Sequence, residues 1–177
     1  VLAHRAHHTQ DDTDRLLVYL QLAEAREMYL QDLDGATEAY QEVLRIDLSH
    51  EEAFSQLDRI LSQLERWDDL TVALHQRFSI ARDSADQLAI ARRVAEINES
   101  QNKPQDALVV LGQAFSTYPN DEALGDHIER LAGETEMWNQ AIQLYEGSIA
   151  QLGEATSETI PLRMRVARWY DEALGQP

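Results

Sequence analysis

Cysteine is absent from the 177 residues. That excludes disulfides, thiolate metal sites and a cysteine nucleophile. Glycine (7) and proline (4) are scarce, and aromatic residues make up 7% of the chain. Helix breakers are therefore few, and Ala, Leu and Ile must supply most of the apolar surface. No apolar run approaches the roughly 18 residues of a membrane-spanning helix, so no membrane insertion is expected. Basic charge is also short: 15 Lys and Arg stand against 32 Asp and Glu, for a net charge of −17. A nucleic-acid binder needs a basic face to displace counterions, and an anionic membrane makes the same demand. Neither partner is expected, and a charged partner would be a basic one. Chemical motifs are missing as well. There is no glycine-rich phosphate loop, no His-Glu-x-x-His, no calcium-loop spacing and no nucleophile elbow. No enzyme and no cofactor is expected. The composition predicts a soluble protein; it fixes no compartment, and the cytoplasm is the expected one.

What is present is 44% hydrophobic residues in a background of Ala, Leu, Glu, Gln and Arg, which are strong helix formers. The pattern repeats. A small or apolar residue near the start of every second helix falls at Ala36, Leu70, Ala107 and Ala141, and a large one a turn later falls at Tyr40, Leu74, Leu111 and Tyr145. Leu33, Trp67, Pro104 and Trp138 precede them, at spacings of 34, 37 and 34. A longer echo, two units in period, is clearer: "ERWDDL" (65–70) is answered by "EMWNQA" (136–141), and "LAEA" (22–25) by "VAEI" (94–97). Apolar residues recur at helical spacing within each unit, as Phe54, Leu57, Leu61 and Leu64 do. The predicted helices are 13–31, 34–47, 51–64, 67–82, 85–100, 104–117, 121–132, 135–152 and 158–174. Ser49 with Glu52 and Ser84 with Gln87 read as capping boxes, and Asn120 and Thr135 as N-caps. Pro104 suits a first helical turn.

These units resemble tetratricopeptide repeats, helix–turn–helix modules of about 34 residues. "DALVVLGQAFSTYP" carries the small residues Ala107 and Ala114 and the closing Pro119; "WNQAIQLYEGS" carries Trp138, Ala141, Tyr145 and Ser148. "DGATEAYQEVLRID" carries Ala36 and Tyr40. "RWDDLTVAL" departs from the pattern, with Leu70 and Leu74 in the small and aromatic slots and Arg77 and Arg82 replacing the later small residue and the proline. The resemblance implies an all-α, right-handed α-α superhelix of antiparallel helix pairs. It is read as a single array over 1–177, of a kind similar to long bacterial arrays. Residues 1–12 form the tail of a preceding repeat, 17–50, 51–84, 85–120 and 121–154 form four repeats, and 157–177 form the first helix of another. The chain is read as a piece of a longer protein.

The resemblance also implies a partner-binding face. First helices line the concave surface in this family, and by register that face takes in Ser55, Arg59, Ser62, Arg92, Glu96, Glu99, Asp126 and Arg130. A protein or peptide of mixed charge is the implied partner. The family's carboxylate clamp is not matched: Gln21, Ala25 and Ser55 stand at those places, so chaperone tails are not expected. The alternative role is a structural spacer within a larger repeat protein, whose incomplete end units pair end to end as a homodimer. His4, His7 and His8, spaced three and four apart, could face a metal from one helix. The preferred reading is the solvated end of a helix lacking supporting groups, and no metal is expected there. His50, His75 and His127 read as surface or packing residues.

Overall fold

A computed structural model describes residues 11–153 and 156–173. The His4, His7 and His8 cluster lies outside them. Among the described residues there are nine α-helices and no strand. They are α1 (Asp12–Leu30), α2 (Leu33–Ile46), α3 (Glu51–Gln63), α4 (Trp67–Ile80), α5 (Ser84–Ser100), α6 (Pro104–Thr117), α7 (Glu122–Thr135), α8 (Trp138–Leu152) and α9 (Thr159–Glu172). The second helices α2, α4, α6 and α8 open on Leu33, Trp67, Pro104 and Trp138, the four residues the repeat singled out.

The turns explain why the register holds. The last residue before each second-helix cap is left-handed and not glycine: Gln31 (φ 52), Glu65 (φ 55), Asn102 (φ 58) and Glu136 (φ 58). Their intervals are those of the repeat itself. After the last three, the next amide donates to the carbonyl five positions back, Arg66 to Leu61 at 2.9 Å, Lys103 to Asn98 at 2.8 Å and Met137 to Ala132 at 3.0 Å. This closes the orphan carbonyls of each first helix and reverses the chain.

N-caps sit one position from their predicted places. His50, not Ser49, caps α3 by accepting the Ala53 amide on Nδ1 at 3.2 Å. Ser49 is drawn away, its amide and hydroxyl both donating to Asp47 Oδ1 at 3.0 and 2.6 Å. Asp83 caps α5 at 2.8 Å and Asp121 caps α7 at 2.8 Å, in place of Ser84 and Asn120. A full negative charge at a helix N-terminus outcompetes a neutral acceptor next to it. Thr135 ends α7, donating to the Leu131 carbonyl at 2.6 Å, and α8 starts only at Trp138.

Two compact units divide the chain, 1–81 and 82–177. In unit 1, α1 packs on α2, α2 on α3 and α3 on α4; in unit 2, α5 packs on α6, α6 on α7 and α8, α7 on α8 and α8 on α9. The small slots close both cores: Ala36, Leu70, Ala107 and Ala141 are wholly buried. The unit 2 core runs through Leu111, Phe115, Ile128, Tyr145 and Trp169. Phe115 stacks on Tyr145 with centroids 4.3 Å apart, and Trp169 meets Tyr145 edge-on at 4.7 Å. Such pairs add about 0.5–1.5 kcal/mol beyond area burial. The irregular repeat is also accounted for: Arg77, in a slot expected to be small, lays its guanidinium 4.4 Å from the Phe54 ring centre.

Candidate functional site: the first-helix faces

In each unit, consecutive first helices are braced by ion pairs. In unit 1 Arg59 of α3 pairs with Glu27 of α1, and its Nε donates to Gln56 at 3.0 Å. In unit 2 Arg130 of α7 reaches Glu99 of α5 at 2.9 Å, and His127 Nε2 lies 2.6 Å from the same carboxylate. From α9, Arg165 donates to Asp126 of α7 at 2.8 Å, and Arg168 lies 2.6 Å from Glu129. Burial alone would raise the Glu99 carboxyl, but hydrogen bonds from His127 and Arg130 outweigh it and hold it below the ordinary range.

This sorts the eight residues assigned to the face. Arg59, Glu99, Asp126 and Arg130 are engaged between helices, and only Glu99 and Arg130 are partners of each other. Glu96 pairs on its own helix with Arg93 at 3.2 Å, and Ser62 donates to Asp58 at 3.1 Å. Ser55 is exposed. Arg92 is half-buried and makes no ion pair among the described residues; its Nε donates to the Leu88 carbonyl at 3.4 Å. The sequence reading missed Glu27, His127, Glu129, Arg165 and Arg168. A signal was there: Glu99 follows Glu27, and Arg130 follows Arg59, at the period of the long echo.

A tyrosine stands in the same slot of the second helices α2 and α8. Tyr145 of α8 accepts from Arg165 Nη1 at 3.2 Å, with Asp126 holding the same guanidinium. Burial pushes its hydroxyl pKa up, and Arg165 offsets part of that. Tyr40 of α2 is 3% exposed. Burial raises its pKa too, and the charges of Glu27, Glu24 and Glu52 add to the rise while Arg59 opposes it. Its hydroxyl has no hydrogen-bond partner among the described residues, and neither Glu24 nor Glu52 has an ion-pair partner among them.

No group of three His, Asp or Glu among the described residues could hold a metal ion. A hollow of about 500 Å³ in unit 1, between α2, α3 and α4, is lined mainly by Leu44, Leu48, Leu57, Val72 and Ala73. Asp69, Gln41, Gln76 and Arg45 at its edge form no nucleophile–base pair. No helix of the described residues is long and apolar enough to cross a membrane.

No family model and no curated protein matches the chain. Among solved structures, MamA aligns at 18% identity over 90% of this chain and 90% of that one, with a TM-score of 0.49. The nearly identical TPR-like repeats from Podosopora anserina align at 17% identity over 94% of this chain and 90% of theirs, TM-score 0.46. YrrB, described as a TPR protein with an unusual peptide-binding site, aligns at 11% over 98% of this chain and 94% of its own, TM-score 0.46. The chain is similar to tetratricopeptide-repeat proteins. Likenesses this distant carry no residue and no role across.

Proposed function

We propose that the chain is a non-catalytic protein-interaction scaffold that holds a peptide or protein partner on its first-helix faces. One observation carries this reading. The ion pairs Glu27–Arg59 and Glu99–Arg130 brace neighbouring first helices, while Glu24 in unit 1 and Arg92 in unit 2 have no ion-pair partner among the described residues and the neutral Gln21 and Ser55 are exposed on α1 and α3. A rigid face with uncommitted polar groups loses little entropy on binding. Affinity capture with the intact chain, repeated with Ser55→Glu and Arg92→Glu, tests it. Neither substitution removes a brace residue, so partner recovery should fall at least tenfold while the helical spectrum is kept. Full recovery with both variants removes these faces from the account.

A second reading is self-association as a spacer. Large exposed apolar residues gather on α1 (Leu17, Met28, Tyr29, Leu30) and on α9 (Ile160, Met164). Clustered exposed apolar side chains of this kind mark contact sites. Light scattering across concentration should then show a dimer that Ile160→Glu with Met164→Glu disperses; a monomer at high concentration ends this reading.

A further inference from the structure

The two units differ at one equivalent place. Tyr40 and Tyr145 occupy the same slot, each one helical turn after a wholly buried alanine, Ala36 or Ala141. In unit 2 the tyrosine hydroxyl is met by an arginine of the same chain, Arg165, which stands directly before the buried Val166. In unit 1 the residue directly before the buried Leu57 is Gln56, which is turned to Arg59. The arginine is missing, but the groups that would receive it are present. Glu24 and Glu52 are exposed, and the Tyr40 ring is buried while its hydroxyl, not itself enclosed, has no hydrogen-bond partner among the described residues. Glu24 stands seven residues before the left-handed Gln31, as Glu129, which lies 3.6 Å from Arg165 Nε, stands seven before the left-handed Glu136. Among the described residues the arginine that acts on that hydroxyl, Arg59, is committed to Glu27.

We infer that the seam between α1 and α3 binds a guanidinium group, an arginine side chain of a basic partner peptide, held by the carboxylates of Glu24 and Glu52 and the hydroxyl of Tyr40. The inference rests on the scaffold reading above. Three considerations select this occupant. Glu24 and Glu52 belong to no group of three potential metal ligands among the described residues. A guanidinium offers a planar fork of donors that can reach several acceptors at once, which an ammonium point charge cannot. And a chain of net charge −17 attracts cationic partners.

The probe is a short peptide, acetyl-Gly-Gly-Arg-Gly-Gly-amide, titrated into the full chain and followed by NMR at the Tyr40 ring and the Glu24, Glu52 and Ser55 amides. Its citrulline and lysine counterparts serve as comparisons. The arginine peptide should bind at least tenfold more tightly than either. Glu24→Gln with Glu52→Gln should weaken it at least tenfold. Gln56→Arg copies unit 2, filling the seam from within, and should abolish binding while the thermal midpoint holds or rises. Equal binding of the citrulline or lysine peptide, or undiminished binding by folded Gln56→Arg, overturns the inference. Shifts at Ser55 that are indifferent to arginine would leave the scaffold reading standing without it. If no peptide of a mixed-sequence set perturbs the first-helix face of either unit, both fall together.

Discussion

Glu99 on α5 and Arg130 on α7 meet at 2.9 Å, and the pair made by Glu27 and Arg59 repeats that brace one double period earlier. Glu99 is the better covered of the two carboxylates, because His127 lies against it as well. Its folded pKa is depressed, so its contribution to stability is present above the unfolded value of about 4.3 and is lost as pH falls through the folded value. Glu99→Gln should therefore lower stability at pH 7 by about 1 kcal/mol, the partly exposed Arg130 keeping the figure small. The gap to the parent should begin to narrow as the pH falls below about 4.3 and go on narrowing through the folded value. Thermal melts at pH 7, 5 and 3 check it; a gap as wide at pH 3 as at pH 7 would mean the loss is one of packing.

The left-handed turns give a second prediction. Holding a non-glycine residue there costs about 1 kcal/mol each, and Glu65 and Glu136 adopt φ 55 and φ 58 with no side-chain hydrogen bond among the described residues. Glu65→Gly and Glu136→Gly remove the Cβ penalty, offset by greater freedom of the unfolded chain. Each should raise stability by about 0.5 kcal/mol. Asn102→Gly should gain less, since asparagine tolerates this region. A loss on glycine substitution, read by denaturant midpoint, would place the turn in another conformation.

Those turns also mark what was legible beforehand. Period, helix number and the buried slots follow from volume: Ala36, Ala107 and Ala141 are small because helices cross there, and a linear pattern records that directly. Cap positions did not follow as well. Asp83 and Ser84, or Asp121 and Asn120, are adjacent acceptors, and only the competition for helix amides decides between them. The binding face was legible as a set of positions and not as a set of free groups. Arg59 and Arg130 read as members of the partner-binding face until the fold brings beside them carboxylates that lie about a whole repeat away in sequence. Arg77 in a slot for a small residue looked like decay of the repeat; in space it is the lid on Phe54.

Arg77 allows packing and charge to be separated. Its side chain is 13% exposed, covers Phe54 and pairs with Glu51, while its Nη1 is buried without a partner among the described residues. Long stems stabilise through their methylenes as well as their charge. Arg77→Met keeps the cover and removes the stranded donor, so it should stay within about 1 kcal/mol of the parent. Arg77→Ala uncovers Phe54 and should cost about 2 kcal/mol. If urea titration shows both variants falling equally, the Glu51 pair carries the effect.

Two glycines inside helices should respond in opposite senses. A Cβ on Gly147 of α8 would meet nothing within 4 Å, so Gly147→Ala gains helix propensity at no steric cost. That should add about 0.5–1 kcal/mol, or about 1–4 °C in thermal midpoint for a chain of this size. Gly112 of α6 lies against α8, where a Cβ would collide with Leu144 Cδ2. Alanine there needs only a rotation of that leucine tip, and the strain of about 0.5–1.5 kcal/mol roughly cancels the propensity gain. Valine cannot be accommodated by the same rotation, because its second γ carbon also faces the contact. Gly112→Val should lose about 1–3 kcal/mol by overpacking. Calorimetric scans of the three variants give the order Gly147→Ala above the parent, Gly112→Ala near it and Gly112→Val below. A stable Gly112→Val would mean that α6 and α8 stand farther apart than their facing glycine and leucine require.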